Sequence, residues 1–85
     1  MKYTLITPEG KKTVMPYTQP TLKELQDAVG GYVERVRLKG NAMMYVNEDG
    51  MSLDLPLNRW VSHLWPGGIL GNALIATPKG WKGSI

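Results

Sequence analysis

A nearly continuous apolar run extends from Ile69 to Ala76 in this 85-residue chain, interrupted only by Gly71 and Asn72. A strand exposed on one face alternates apolar and polar side chains, whereas a continuous apolar run is typical of a strand covered on both faces. The run is much shorter than the roughly 18 apolar residues that a membrane span requires. The sequence therefore predicts a buried strand at the centre of a sheet.

The first part of the chain carries clear strand and helix signals. Residues 2–7 and 11–15 are predicted to form two strands around the turn Thr7-Pro8-Glu9-Gly10. Thr21-Leu22-Lys23-Glu24 is a capping box, in which the Thr and Glu side chains satisfy backbone N–H groups at a helix start. The helix is predicted to end at Gly30-Gly31, because glycine readily takes the positive φ of a C-cap.

A second hairpin is predicted for residues 32–38 and 42–47. Matching the apolar faces pairs Leu38 with Ala42 and Val36 with Met44, which requires a three-residue loop, Lys39-Gly40-Asn41. The other face of this hairpin then presents four side chains together: Arg35, Arg37, Met43 and Tyr45. Glu34 interrupts the apolar side of the first strand.

Residues 57–64 are predicted to form a second, short amphipathic helix, because four apolar residues recur at helical spacing: Leu57, Trp60, Val61 and Leu64. Trp60 is interpreted as a core residue. Trp65 and Trp81, the latter in the tail of residues 77–85, are left open as core, pocket or subunit contact. The expected fold is thus a single small α+β domain of residues 1–85 in the order ββαββαβ, with a mainly antiparallel sheet packed by two short helices.

Composition limits how such a small domain can be stabilised. The chain has no Cys and one His, so disulfides are excluded and a zinc site is disfavoured. Small domains often gain stability from a partner subunit, so a homo-oligomer is expected. No secretory signal or membrane span is readable, and cytoplasmic localisation is expected. The net charge of +3 is too low for a typical sequence-independent nucleic-acid binder but compatible with a small anionic ligand.

Four short segments carry a resemblance to a known family: residues 25–32 (LQDAVGGY), 45–50 (YVNEDG), 55–59 (LPLNR) and 70–75 (LGNALI). In their order and spacing they are similar to a family of small proteins of unknown function, of the DUF3846 type, found in phages, plasmids and bacterial genomes. The resemblance covers roughly residues 21–76. It implies a compact α+β fold and a mobile-element setting, without an established activity.

No catalytic apparatus is recognisable, so the protein is expected not to be an enzyme. There is no Cys and no Gly-x-Ser-x-Gly motif, and Ser62 and His63 would point about 100° apart on a helix. No metal site and no cofactor are predicted.

Two surfaces are candidates for ligand binding. The first is the second predicted helix, where Asn58 and Arg59 lie at the start and Arg59 and His63 would share a face; alternatively, Asn58 is a cap or a loop clasp. The second is the sheet face with Arg35, Arg37 and Tyr45, which could bind a phosphate and a stacked base. The alternative there is an exposed face on which Arg stems cover apolar side chains. Trp81 is a further candidate contact.

The leading hypothesis is a phage or mobile-element binding protein that counters host defence by sequestering a small nucleotide immune signal in a pocket between subunits. A setting in mobile elements motivates the defence role, and the Arg, Tyr and Trp residues motivate the ligand. The alternative is a protein–protein inhibitor of a host enzyme that binds through an exposed apolar and aromatic patch. A weak nucleic-acid binder is the third possibility, against which the low charge density argues.

Overall fold

The computed structural model describes residues 1–85. Its five strands are β1 (Lys2–Ile6), β2 (Lys12–Met15), β3 (Val33–Arg37), β4 (Met43–Asn47) and β5 (Ala73–Thr77), and its one α-helix is α1 (Leu22–Val29). Two single-turn 3₁₀ helices occupy Lys39–Asn41 and Ser62–Leu64. The predicted α+β class is confirmed, but the order with two α-helices is wrong, because only one α-helix forms.

All five strands form one antiparallel sheet in the order β2-β1-β5-β4-β3. β5 is the central strand, and all five of its side chains are buried, as the apolar run predicts. The strand begins at Ala73 rather than at Ile69. Residues 69–72 lie outside the sheet, where Gly71 takes a φ of 84° and Leu70 forms an isolated bridge with Leu57.

Each face of β5 belongs to a different apolar cluster. Leu74 and Ala76 pack with Tyr3 and with Ala28 of α1, so the helix covers this face. Ala73 and Ile75 face the other way and belong to the larger cluster, whose remaining members come from β1, the β3–β4 hairpin and the segment after β4: Ile6, Val36, Leu38, Ala42, Met44, Val46, Val61 and Ile69. The tail contributes Trp81 and Ile85 to this second face.

The ends of α1 are fixed as the sequence predicts. The Thr21 hydroxyl accepts from the Glu24 backbone N–H at 3.1 Å, and the Glu24 carboxylate accepts from the Thr21 N–H at 2.9 Å. Gly30 forms the C-cap with a φ of 79°. Two asparagine side chains complete the helix end: Asn72 donates to the carbonyl of Ala28 and Asn47 to that of Val29, both at 3.1 Å. These bonds satisfy carbonyls that a helix end leaves without intrahelical partners.

The β3–β4 hairpin has the predicted register. Val36 pairs with Met44, and the Leu38 N–H donates to the Ala42 carbonyl at 2.9 Å. The loop is Lys39-Gly40-Asn41, in which Gly40 and Asn41 have φ angles of 72° and 63°. A three-residue loop with left-handed residues at these positions supports the pairing of apolar with apolar side chains.

The predicted helix over residues 57–64 is wrong. Asn58 is held in a bridge geometry, because its backbone N–H donates to the Ile69 carbonyl at 2.7 Å and Leu57 pairs with Leu70. Turns follow, and only Ser62–Leu64 forms a single 3₁₀ turn. Val61 is fully buried, but Leu57 is exposed.

Trp60 is likewise not a core residue, since 41% of it is exposed. Its indole lies over the turn between β1 and β2, where Nε1 donates to the Pro8 carbonyl at 3.2 Å. The interpretation of Trp60 as core depended on the helix, and it is wrong for the same reason.

None of the helices in the structure has the length and apolar character needed to cross a membrane.

Candidate binding clefts around Trp81

Trp81 attaches the tail to the sheet face opposite α1. Its Nε1 donates to the Lys39 carbonyl at 2.9 Å, and its half-buried ring packs against the larger apolar cluster. Two glycines make this close approach possible. A Cβ atom at Gly40 would lie 3.0 Å from the ring, and one at Gly83 would overlap it. The tail therefore docks on its own domain, with the indole seated between two glycines.

His63 provides a second attachment for the tail. Its Nε2 lies 2.9 Å from the Ser84 carbonyl, which can only accept, so this nitrogen carries the hydrogen. The imidazole is exposed, and His63 is the middle residue of the 3₁₀ turn Ser62–Leu64. Although His63 lies in a single 3₁₀ turn and not on the predicted α-helix, the structure brings it together with Trp81 in one cleft.

The first cleft, of about 430 Å³, lies between the tail and the two 3₁₀ turns. Trp81 and the side chains of Leu38 and Leu64 form its apolar part. Three further side chains line it that are cationic or can become so: Lys39, His63 and Lys82. None of the seven Asp and Glu residues of the chain lines this cleft.

The second cleft, of about 720 Å³, lies on the other side of Trp81, where β1 begins and β5 ends. Lys2 and Lys79 line it together with the hydroxyl residues Thr4 and Thr77 and the tail. This cleft also has no Asp or Glu in its lining. We refer to these two cavities, which share Trp81 and Gly83, as the Trp81 clefts.

The chemistry of the Trp81 clefts is that of an anion site beside an aromatic ring. Lysine ammonium groups act as mobile point charges toward phosphate or carboxylate, and an indole face stacks on a heterocyclic base. Both volumes lie within the range of about 300–1,000 Å³ typical of small-molecule pockets. No group of three His, Asp or Glu side chains in the structure could hold a metal ion.

The predicted basic face forms a separate surface. Arg35 lies opposite Tyr45 and Arg37 opposite Met43, as the predicted register requires. Tyr45 and Met43 are half-buried against the cluster under α1, whereas both arginines are exposed at the edge of the sheet. Because Trp81 packs on the opposite face, this surface and the Trp81 clefts cannot contact one ligand within a single chain.

The remaining predicted residues, Asn58 and Arg59, do not join either surface. Asn58 is fully buried, and its amide group donates to the carbonyls of Ile6 and Gly71, both at 2.9 Å. Asn58 is therefore a loop clasp, which was the alternative to its predicted role as a binding residue. The Arg59 guanidinium lies 5.5 Å from the ring centroid of Trp60, a cation–π contact on the exposed side of the chain.

Four lysines in the Trp81 clefts were not predicted as site residues: Lys2, Lys39, Lys79 and Lys82. They come from the start of the chain, the hairpin loop and the tail, so no local motif joins them. The sequence of the tail did contain a signal for an anion site, since residues 77–85 include two Lys and a Trp but no acidic residue.

A family model described as "Domain of unknown function (DUF3846)" matches residues 1–84. The match extends beyond residues 21–76 on both sides and includes the β1–β2 hairpin and Trp81. No curated protein and no solved structure matches the chain.

Proposed function

This chain belongs to the DUF3846 family, whose description names no activity, and we propose that it is a non-catalytic protein that binds and sequesters a small anionic, nucleotide-like ligand. The observation that carries the proposal is the lining of the Trp81 clefts. Four lysines and one histidine surround a tryptophan there, and no carboxylate side chain accompanies them.

In this proposal the phosphate groups bind between lysine side chains. Lys39 and Lys82 line the first cleft and Lys2 and Lys79 the second. With no Asp or Glu side chain in either lining, these ammonium groups are free to pair with an anion from solution. The indole of Trp81 lies between the two clefts, where a base can stack against it.

The docked tail supports a preorganised site. The bonds from Trp81 to Lys39 and from His63 to Ser84 hold the tail against the domain from both sides of the first cleft. A site whose walls are already ordered loses less entropy when it binds a ligand. The proposed role follows from binding without turnover. Encoded by a mobile element, the protein would bind a nucleotide signal of host defence in the host cytoplasm and so lower its free concentration.

Isothermal titration calorimetry with a panel of cyclic and linear nucleotides tests this proposal. We expect micromolar or tighter binding of at least one nucleotide and at least a tenfold loss, about 1.4 kcal/mol, in a Lys39→Ala/Lys82→Ala variant. The matched control is Arg35→Ala/Arg37→Ala, which removes the same charge from the opposite sheet face and should retain binding.

Two outcomes would contradict the proposal. If no nucleotide in the panel binds, the function is wrong. If the arginine pair rather than the lysine pair abolishes binding, the ligand site is the Arg35/Arg37/Tyr45 face and the Trp81 clefts are not the site. Native mass spectrometry of protein purified from cells would show any retained ligand and whether the site is shared between subunits.

Inhibition of a host protein is a second candidate function. A specific observation favours it: at the end of the β3–β4 hairpin opposite the Lys39-Gly40-Asn41 loop, Tyr32, Met51 and Leu53 are 68%, 86% and 55% exposed. Large apolar side chains clustered on a surface are typical of protein–protein contacts.

A further inference from the structure

Three exposed apolar or aromatic side chains lie in or beside the turn that follows β4. Met51 and Leu53 lie within the turn, and Tyr32 lies beside it. On the other side of the turn, Met51 shares a cleft with Trp65, which is 41% exposed. We refer to residues 48–54 together with Tyr32 and Trp65 as the 48–54 surface.

The exposed turn is ordered rather than loose. The Leu53 N–H donates to the Asp49 carbonyl at 2.9 Å, and the Leu55 N–H donates to the Gly50 carbonyl at 3.0 Å. Both ends are packed: a Cβ at Gly50 would lie 3.1 Å from Leu70, and one at Gly71 would lie 2.8 Å from Leu55. Met51 and Leu53 are therefore presented to solvent from a fixed backbone, which lowers the entropy cost of docking.

Two clefts flank this turn, and their electrostatic character is opposite to that of the Trp81 clefts. One, of about 560 Å³, has Tyr32 and Leu53 in its lining with Asp27 and Asp49. The other, of about 220 Å³, has Met51 and Trp65 in its lining with Glu34 and Glu48. Neither lining contains a Lys, Arg or His.

We infer that the 48–54 surface docks a protein partner through a segment in which Lys or Arg residues flank apolar side chains. The apolar residues of the segment would cover Met51, Leu53 and Tyr32. Asp27 already pairs with Lys23 at 2.9 Å, so the cations of the segment would pair with the other carboxylates that line the two clefts: Glu34, Glu48 and Asp49. Charge complementarity selects this occupant. A symmetric dimer through the same surface would bring two sets of carboxylates together, which is unfavourable.

This inference gives the second candidate function a surface and a partner chemistry, and it is independent of nucleotide binding at the Trp81 clefts. The probe is a short synthetic peptide in which arginines flank two leucines, titrated into ¹⁵N-labelled protein and followed by amide chemical shifts. Two matched peptides serve as controls, one with Glu in place of Arg and one with Ser in place of Leu.

We expect shift changes to concentrate at residues 26–32, 34, 46–54 and 65 with the Arg/Leu peptide. The Met51→Ser/Leu53→Ser variant changes only exposed side chains. It should raise the dissociation constant at least about tenfold, because a few central apolar contacts dominate such interfaces. The Lys39→Ala/Lys82→Ala variant should bind the peptide as the wild type does, so failure at one surface is separable from failure at the other.

Several results would overturn the inference. If the peptide with Ser in place of Leu binds as tightly as the Arg/Leu peptide, the attraction is non-specific and due to charge alone. If the peptide with Glu in place of Arg binds as tightly, the carboxylates do not contribute to binding. Concentration-dependent shifts without peptide, at both the 48–54 surface and the Trp81 clefts, would show that a second copy of this chain occupies the surface instead.

Discussion

The side-chain amide of Asn58 donates a 2.9 Å hydrogen bond to the backbone carbonyl of Ile6, 52 residues earlier in the chain. The same NH₂ group also binds the Gly71 carbonyl, so one buried side chain joins β1 to the two segments that precede β5. Asn58→Ala would remove both of these buried hydrogen bonds. We expect a loss of about 2–4 kcal/mol in the free energy of unfolding, measured by urea denaturation.

The control for this experiment is Ser52→Ala, at an exposed position in the turn after β4. It should change the free energy of unfolding by less than about 0.5 kcal/mol. A similarly small change in Asn58→Ala would show that the clasp is not important for stability.

Asn47 and Asn72, which both bind the end of α1, should contribute unequally to the stability of the domain. Asn47 makes two bonds, one to the Val29 carbonyl and one from the Asp49 N–H at 2.8 Å, whereas Asn72 makes one, to the Ala28 carbonyl. We expect Asn72→Ala to cost about 1 kcal/mol and Asn47→Ala about twice that, since each lost bond contributes about 0.5–1.5 kcal/mol. Chemical denaturation measures both, and equal effects would contradict the prediction.

Gly83→Ala should release the tail from the sheet. The new methyl group would overlap the Trp81 ring, whereas Gly80, with a φ of 78°, has open space around its Cβ position. Gly80→Ala should therefore cost about 1–2 kcal/mol of local backbone strain while Trp81 stays seated. Tryptophan emission in a Trp60→Phe/Trp65→Phe background checks this, with a red shift expected for Gly83→Ala only.

The Gly83→Ala variant should also lose nucleotide binding if the proposed function is correct, because both Trp81 clefts use the docked tail as a wall. Retained binding with a displaced Trp81 would argue against that site. Unchanged emission would instead show that the new methyl group is accommodated without displacing the ring.

Tyr3 should make the protein less stable at alkaline pH. Burial raises the pKa of the Tyr3 hydroxyl above the ordinary value of 10.0, and the neighbouring Tyr45 raises it further. The unfolded chain therefore loses this proton more readily, so stability is full below pH 10 and falls as the pH rises through the folded-state pKa. Tyr3→Phe should flatten the decline, measured as urea midpoints at several alkaline pH values.

The exposed Tyr32 provides the control, since Tyr32→Phe changes the tyrosine count without altering the cluster under α1. Its pH profile should follow that of the wild type. If both variants flatten the profile equally, burial of Tyr3 is not the cause.

Local chemistry was sufficient to predict several elements of this fold. The reciprocal bonds of Thr21 and Glu24 depend only on residues of the same turn, and the β3–β4 register depends on a three-residue loop and on apolar matching. The central position of β5 follows from its apolar run. Each of these features is determined by neighbours in sequence or by burial of a whole segment.

Residues 57–64 were mispredicted because distant partners decide their structure. Their spacing suits a helix, but unlike the equally short α1, the segment has no capping box at its start. Asn58 instead binds Ile6, Ile69 and Gly71, none of which a helical period can reveal. The Trp81 clefts escaped prediction for a similar reason, since their lysines converge from three separate segments.

The strand order has a consequence for synthesis on the ribosome. β1 and β2 emerge first, yet β1 pairs on its other side with β5, whose residues follow nearly the whole chain. The β3–β4 hairpin must wait for the same strand. Until residue 77 has left the exit tunnel, the nascent chain holds two hairpins with no shared sheet, and two-stranded hairpins alone are marginally stable. Cooperative folding of this protein is therefore a late event that awaits its central strand.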